Sequence, residues 1–577
     1  MKDLKYTEIL AANRKLRESL SGASLYEVKV LSNIITSQFN DIFEYVLRTE
    51  KINAKVSSGD YDNILQDSQK YASADTVIIF WELANLIDGL QYKADTLEEE
   101  EVDQLIKKTK DEIDFVFEHL RRTPNVIINK FSTAPFNYSF LKENRFDQIC
   151  SVLNGYLAEK LPDNFTLIDV NKVFLKVSVE KSIDLRYYYS SKSLYSIEFY
   201  KQYCEYVAPV ILSILGRTKK ALIFDCDNTL WKGIVGEDGV DEIELSSQNK
   251  SGSVFEEVHH LAKSLTKQGV LIGLCSKNNP DDVNEVFLRR KDLALKEEDI
   301  LIKKINWDDK VSNLKSIAEE LNIGIDSIVF IDDSSFEVQY VRDNLPAIAT
   351  LQVPDKLYEY PSIFRENSRL FYKKHYTKED REKANLYRVE ESRKNERNKF
   401  ENLDQYLSSL QLNLDIFIDD KRNVQRAAQL SQKTNQFNFT TRRYTESEIG
   451  QCMDSDDFKT YVFGVADKFG DYGITGMALV KIKNKSACIE CFLMSCRVLG
   501  RNIEVAFLNF ILKELRSDDL EYVRAKYIPT MKNGQVESFY EGFGFSLVAV
   551  QDKVKEYELP LQDHQYQNVD YITINKK

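Results

Sequence analysis

Ala221-Leu222-Ile223-Phe224-Asp225-Cys226-Asp227-Asn228-Thr229-Leu230-Trp231 is an apolar run feeding an Asp-x-Asp-x-Thr turn. The run predicts a buried strand. Strand geometry sends successive side chains to opposite faces, so Asp225 and Asp227 emerge together at its end while Cys226 points elsewhere. Two carboxylates brought together repel each other unless a cation joins them. Mg²⁺ suits the position, because it prefers hard oxygen ligands and binds through one or two carboxylates plus substrate phosphate oxygens. The stretch therefore predicts an α/β fold and a metal-dependent centre that handles phosphate.

Three further fragments fit that reading. Val270-Leu271-Ile272-Gly273-Leu274-Cys275-Ser276-Lys277-Asn278 predicts a second buried parallel strand whose end offers the Ser276 hydroxyl to a phosphate oxygen. Asn306-Trp307-Asp308-Asp309-Lys310 precedes a helical pattern of Leu314, Ile317, Ala318 and Leu321. Lys310 thus sits near a helix start, where backbone dipoles already favour anions. Ile328-Val329-Phe330-Ile331-Asp332-Asp333 predicts a third strand ending at the C-terminal sheet edge, where ligands of open α/β sheets collect. Asp332 is the best remaining metal ligand.

In this order the fragments resemble the haloacid dehalogenase (HAD) superfamily. The run Asp225 to Gly239, with Ser276-Lys277-Asn278 and Phe330-Ile331-Asp332-Asp333, is similar to the FkbH-like subgroup, HAD subfamily IIIC, and the likeness spans most of the chain. Where that family continues with Asn-Pro and a nearby Glu, this chain has Ser334-Ser335-Phe336-Glu337. The resemblance implies an aspartyl-phosphate mechanism: Asp225 as nucleophile and Asp227 as acid and base. It implies Mg²⁺ held by Asp225, the Asp227 carbonyl and Asp332, with Asp333 orienting from behind them. Ser276 and Lys310 would clamp the phosphate, joined by Thr229 and Asn278.

About forty residues separate the first two motifs, which suits a short flap rather than an inserted lid. An open site favours a large or tethered substrate. Members of the family take a glyceryl unit from 1,3-bisphosphoglycerate and load it onto the phosphopantetheine thiol of an acyl carrier protein. Candidate thiols in this chain are Cys226, Cys275 and Cys496, although strand alternation turns Cys226 away from the carboxylates.

Further on, Ala487 to Ser495 predicts a strand, and Cys496-Arg497-Val498-Leu499-Gly500-Arg501-Asn502 opens a helix carrying Val505, Leu508, Phe510, Ile511, Leu512 and Leu515. A basic, Gly-containing turn at a helix start can bind pyrophosphate through free backbone amides. With Asn533 and Phe539-Tyr540-Glu541-Gly542-Phe543-Gly544-Phe545, this region resembles the second half of a GNAT acyltransferase. That likeness implies coenzyme A or a pantetheine thiol at Arg497, Gly500, Arg501, Asn502, Asn533 and Tyr540. Asn502 stands where the family has a small residue and would crowd a cofactor, which leaves two readings: a groove that docks a carrier's pantetheine arm, or a degenerate domain retained for packing.

Residues 1 to 215 carry α/β patterning, with strands predicted at Glu27 to Leu31, Thr76 to Trp81, Asn125 to Ile128 and Thr166 to Val170. The order resembles an SGNH hydrolase-like domain. Ser32-Asn33 falls at the nucleophile position without the usual Gly-Asp-Ser, and Asp184-Leu185-Arg186-Tyr187 lacks the histidine of an Asp-x-x-His base. His119 lies in a helical context. The region is read as a non-hydrolytic docking module.

A chain of 577 residues is too long for one core. The motifs divide it into residues 1–215, a HAD-like domain at 216–365, a charged helical linker at 366–408 and a GNAT-like domain at 409–577. With 43% hydrophobic and 29% charged residues the composition is that of a globular protein. A net charge of −13 argues against nucleic-acid or anionic-membrane partners, leaving local patches such as Arg442-Arg443 for an acidic one. The start lacks a secretory apolar core and no run reaches membrane-span length, so a cytoplasmic enzyme is expected. Cys488 and Cys491 share a C-x-x-C spacing, but on a strand they diverge, which argues against zinc. Three classes remain: a Mg²⁺-dependent acyl-phosphate enzyme loading a carrier thiol, a HAD phosphatase acting on a small-molecule or protein phosphate, and a non-catalytic scaffold.

Overall fold

The computed structural model describes residues 4–374, 400, 402–495, 498–530, 532–551, 553–562 and 564–577. Most of the expected linker, and Cys496 and Arg497, lie outside the described residues. The chain forms two compact units, residues 1–214 and 215–577.

In the first unit a five-stranded parallel sheet runs Ala54–Tyr61, Tyr26–Ser32, Thr76–Phe80, Val126–Asn129, Phe165–Ile168. Its central strands are almost wholly apolar because helices cover both faces. One face packs against Glu99–His119 and Arg145–Lys160, and the other buries a ring cluster of Phe39, Phe80, Tyr195, Tyr200 and Tyr203.

The second unit contains two sheets. The first is parallel, in the order Ala349–Gln352, Ile328–Asp332, Ala221–Phe224, Leu271–Ser276, Ile300–Ile305. The strand Ala221–Phe224 lies at its centre with every residue buried. Helices Lys310–Glu320 and Ser335–Asn344 pack on one face through Leu314, Ile317, Val341 and Leu345, and helix Gly252–Thr266 packs on the other through Phe255, Val258 and Ala262. Asp309 and Ser334 cap the first two helices, accepting from Ser312 N–H at 2.9 Å and Glu337 N–H at 3.4 Å.

The other sheet has eight strands and mixed direction: Ser546–Gln551, Val554–Pro560, Tyr522–Tyr527, Ser486–Met494, Gly470–Lys483, Phe458–Asp467, Leu412–Ile418, Ile572–Lys576. Helix Ile503–Ser517 buries Ala506, Phe507, Ile511 and Leu515 against it. The parallel pair Ser486–Met494 and Tyr522–Tyr527 is in register only from Ser486 opposite Tyr522 to Ile489 opposite Ala525, after which the strands part. Among the described residues, no helix is long and apolar enough to cross a membrane.

Candidate active site

Register alone brings the first acids together. Phe224 pairs with Ile331 on one side and Leu274 on the other, so the next residues, Asp225, Asp332 and Cys275, reach the same sheet edge. The Asp225 N–H donates to the Ile331 carbonyl at 2.9 Å, holding that level. Ligand oxygens of Asp225, Asp332 and Asp333 all lie within 4.8 Å of one another. Lys310, buried at the start of its helix, donates from Nζ to Asp225 Oδ1 at 3.0 Å and to Asp332 Oδ2 at 2.5 Å. The Ser334 N–H donates to the remaining Asp332 oxygen at 2.9 Å.

Burial would lower the Lys310 ammonium, but the charges of Asp225 and Asp332 outweigh it and raise the group above its ordinary value. Asp332 and Asp333 are both raised, first by burial and then by the charge of Asp225. Three carboxylates facing one ammonium leave surplus negative charge in a nearly dry corner. A hard dication fits this donor set. The Asp333 carboxylate, expected behind the metal ligands, lies within 4.8 Å of those of Asp225 and Asp332.

Asp227 has a separate environment. Its Oδ1 accepts from Trp231 Nε1 at 2.8 Å and Val235 N–H at 3.1 Å, and its Oδ2 accepts from Asn278 Nδ2 at 2.8 Å. Burial raises its carboxyl above the usual range, and these donors partly oppose that shift. Asn228 makes the turn possible: it adopts φ +51°, a left-handed value Asn tolerates, and its Oδ1 accepts from Gly233 N–H at 3.1 Å. Beneath the loop, fully buried His259 donates from Nε2 to the Leu230 carbonyl at 2.7 Å, and the Tyr360 hydroxyl donates to the Thr229 carbonyl at 3.3 Å.

Of the expected phosphate contacts, Ser276 is buried at the same edge, its carbonyl accepting from Asn306 N–H at 3.1 Å. Thr229 is fully buried and its hydroxyl has no hydrogen-bond partner among the described residues. Asn278 gives its amide N–H to Asp227 and accepts from Asn279 N–H at 2.8 Å, so both ends of its side chain are engaged. Lys277 pairs with Glu337 at 2.7 Å, tying the Ser276 turn to the first turn of helix Ser335–Asn344. Cys226 and Cys275 are fully buried; burial drives the Cys226 thiol well above its ordinary value and the Cys275 thiol up to about 12. Neither is an accessible nucleophile in this state. Sequence reasoning missed Trp231, although its place four residues after Asp227 was visible.

The groups expected to contact coenzyme A or pantetheine make the following bonds within the protein. Gly500 and Asn502 both take left-handed backbone, φ +76° and +59°. The Asn502 amide donates to the Tyr571 hydroxyl at 2.8 Å. Arg501 is buried, 3.7 Å from Asp467 and stacked 4.9 Å over the Tyr472 ring. Asn533 is fully buried, accepting from Thr530 N–H at 2.7 Å and donating to the Asn438 and Ile528 carbonyls at 3.0 and 2.9 Å. Tyr540 is buried among Phe439, Phe545 and Tyr557, its hydroxyl without a partner. The gap between the parting strands is filled from within: Met494 N–H donates to the Phe437 carbonyl, Phe439 N–H to the Phe492 carbonyl and Ile528 N–H to the Phe439 carbonyl. This region meets the parallel sheet through Lys532 and Asp326, 2.9 Å apart, and Asp326 precedes the strand whose far end carries Asp332.

In the first unit, Ser32 Oγ donates to the Ile34 carbonyl at 2.7 Å, and Asn33 exchanges bonds with the Glu82 backbone. Asp184 caps helix Leu185–Ser191 and pairs with Arg186, and half-buried His119 bonds Gln69 and its own helix. No Ser, His and Asp converge there among the described residues.

No family model and no curated protein matches the chain. Among solved structures, it is similar to the N-terminal part of a Bacteroides fragilis protein containing a phosphatase domain complexed with Mg. That match has 23% identity and a TM-score of 0.57, covering 65% of this chain and 100% of that one. Slighter likenesses are to Ard1 from Thermoplasma volcanium, 17% identical over 26% of this chain and 97% of that one, TM-score 0.21. Another is PaiA N-acetyltransferase from Thermoplasma acidophilum in complex with coenzyme A, 16% identical over 20% and 72%, TM-score 0.18. The fold class is α/β: a Rossmann-type parallel sheet preceded by another parallel α/β unit and followed by a mixed-sheet α+β region.

Proposed function

We propose that the chain is a Mg²⁺-dependent phosphoryl-transfer enzyme working through an Asp225 phosphate. The observation that supports this is the meeting of Asp225, Asp332 and Asp333 around Lys310, with Asp227 separately cradled beside them. Asp225 attacks phosphorus; the Asp225 oxygen–phosphorus bond forms as the bond to the leaving oxygen breaks, splitting one hard displacement into two easier ones. Asp227 protonates the leaving oxygen, then takes a proton from the water or other acceptor that releases the phosphate. Lys310 and Ser276 stabilise charge on the transferred oxygens, where most phosphoryl-transfer catalysis arises. Mg²⁺, held by Asp225, Asp332 and the Asp227 carbonyl, with Asp333 near them, would supply the remaining charge neutralisation.

The domain division 1–215, 216–365, 366–408 and 409–577, the SGNH-like and GNAT-like assignments of the flanks and the FkbH-like kinship belong to this proposal. A second reading keeps the same site but gives it an acyl phosphate and a carrier-protein thiol as acceptor. It is favoured by the shortness of the segment after the acids, where Val235–Asp238 forms a single four-residue helix rather than an inserted lid. Cys226 and Cys275 are buried and neither serves as the accepting thiol, so this reading takes that thiol from the carrier; Cys496 lies outside the described residues. Incubating the protein with Mg²⁺, 1,3-bisphosphoglycerate and a pantetheinylated carrier, then weighing both proteins, separates the readings. A mass gain on the carrier supports loading; phosphate release with an unmodified carrier supports the phosphatase; neither product removes both.

A further inference from the structure

We propose that Trp231 and Asn278 are positioning residues for Asp227, and that they reserve its Oδ2 as the oxygen that exchanges the proton. The inference rests on the phosphoryl-transfer reading and goes beyond it by naming the groups that aim the acid.

A carboxylate oxygen offers about two lone-pair sites. Asp227 Oδ1 takes two donors, Trp231 Nε1 at 2.8 Å and Val235 N–H at 3.1 Å, and is full. Oδ2 takes one donor, Asn278 Nδ2 at 2.8 Å, and keeps one site open. The donors are themselves held. Trp231 is fully buried and joins Asp227 in an isolated parallel bridge, so its indole N–H cannot swing away without breaking the core beneath the flap. Asn278 is buried, and the N–H it accepts from Asn279 fixes which end of its amide faces Asp227. Val235 opens the flap helix, so acid and flap are tied to one another.

The chemistry follows from this geometry. In the first half-reaction the leaving oxygen takes the proton from Asp227 Oδ2 as its bond to phosphorus breaks and the Asp225–phosphorus bond forms. In the second, water adds to phosphorus, its proton passes to Oδ2, and the Asp225–phosphorus bond breaks. A poor leaving group needs that proton in the transition state, whereas a good one departs as an anion. Loosening the cradle therefore harms substrates unequally, which a general loss of structure does not do.

The experiment uses the full chain with Mg²⁺ and a series of phosphate monoesters, from alkyl phosphates to p-nitrophenyl phosphate, with acetyl phosphate as an acyl case. Trp231→Phe keeps the ring and deletes the N–H; Asn278→Ala tests the other donor independently should the first variant fold poorly. The expected result is a fall in kcat/KM of about 30-fold or more for alkyl phosphates and about 3-fold or less for p-nitrophenyl and acetyl phosphate. Asp227→Asn should show the same pattern, amplified. Equal losses across the series, or none, overturn the assignment. A wild type that turns over none of these esters overturns the phosphoryl-transfer reading and this inference with it.

Discussion

At the edge of the parallel sheet, polar groups are gathered against their own electrostatics: three carboxylates share a nearly dry corner and a single lysine offsets only part of their charge. In the mixed-sheet region, the polar groups that sequence had grouped as a ligand site are engaged elsewhere. Arg501 meets Asp467, Asn502 meets Tyr571, and Asn533 is bonded at both ends of its amide. The first arrangement costs stability in the protein alone and suits a cation; in the second, these three side chains already have partners within the protein. Surplus, unmatched charge marks a reactive site better than the presence of the right residue types.

The comparison breaks most sharply at Asp225. Asp225→Asn is expected to lower turnover of any phosphate substrate by ~10³-fold or more while leaving the melting temperature at least as high, since it removes charge from a crowded corner. Near-normal activity in steady-state assays would end the covalent scheme. Lys310→Met comes next. It strands Asp225 and Asp332 without their buried counterion and should cost about 3–5 kcal/mol in denaturant titrations without metal, with Mg²⁺ restoring part of the loss. If the variant is equally stable with and without Mg²⁺, the surplus-charge account fails.

Much of the first region was legible because each part is local. A buried parallel strand ending in acids is an apolar run followed by carboxylates, and register does the rest: Phe224 opposite Ile331 forces Asp225 beside Asp332. What was not legible depends on turns. The Asn278 bond to Asp227 and the approach of Asp333 to the other two carboxylates were not foreseen, since neither loop direction is encoded in strand alternation. The edge strand Ala54–Tyr61 was missed because Lys-Val-Ser-Ser-Gly-Asp-Tyr, half exposed, carries no sustained apolar signal. In the mixed-sheet region the residue pattern was visible but its bonding was not. Phe437 to Phe439 reach the parted strands from a loop more than fifty residues earlier in the chain, a long-range contact that local periodicity does not report.

His259 sharpens the comparison by testing the floor under the catalytic loop. Burial holds its imidazole down from 6.5 to about 4, so the folded chain keeps it neutral while the unfolded chain protonates near 6.5. As pH falls through that window only the unfolded state gains the proton, and stability drops. The expected loss between pH 6.5 and 4 is roughly 3 kcal/mol, absent in His259→Gln. Parallel pH–stability curves for the two proteins would contradict it. In the other region Asn533→Ala should cost about 1–3 kcal/mol, because it orphans the Thr530 N–H and the Asn438 and Ile528 carbonyls. Phosphate turnover should be unchanged. A variant of normal stability that lost only acyl-group binding would show Asn533 to be a ligand contact.

The smallest expected effect is the most discriminating for the mixed-sheet region. Two parallel strands that part expose backbone donors and acceptors, and an extended amide-bearing arm such as pantetheine could pair with them as a strand does. Here the chain's own Phe437-Asn438-Phe439 makes those bonds, with both rings packed against Phe492 and Phe539. An incoming arm must first expel two buried aromatic side chains, at a cost on the order of 3–5 kcal/mol for each ring by analogy with truncating a core Phe. Coenzyme A at about 1 mM should therefore raise the melting temperature of the full chain by less than about 1 °C, a shift set by occupancy of the folded state. Phe437→Gly combined with Phe439→Gly opens the gap, so a ligand-induced shift appearing only in that variant identifies the segment as the obstacle. A clear shift in the unmodified chain would mean that the segment yields, and that the two regions differ less than their bonding implies.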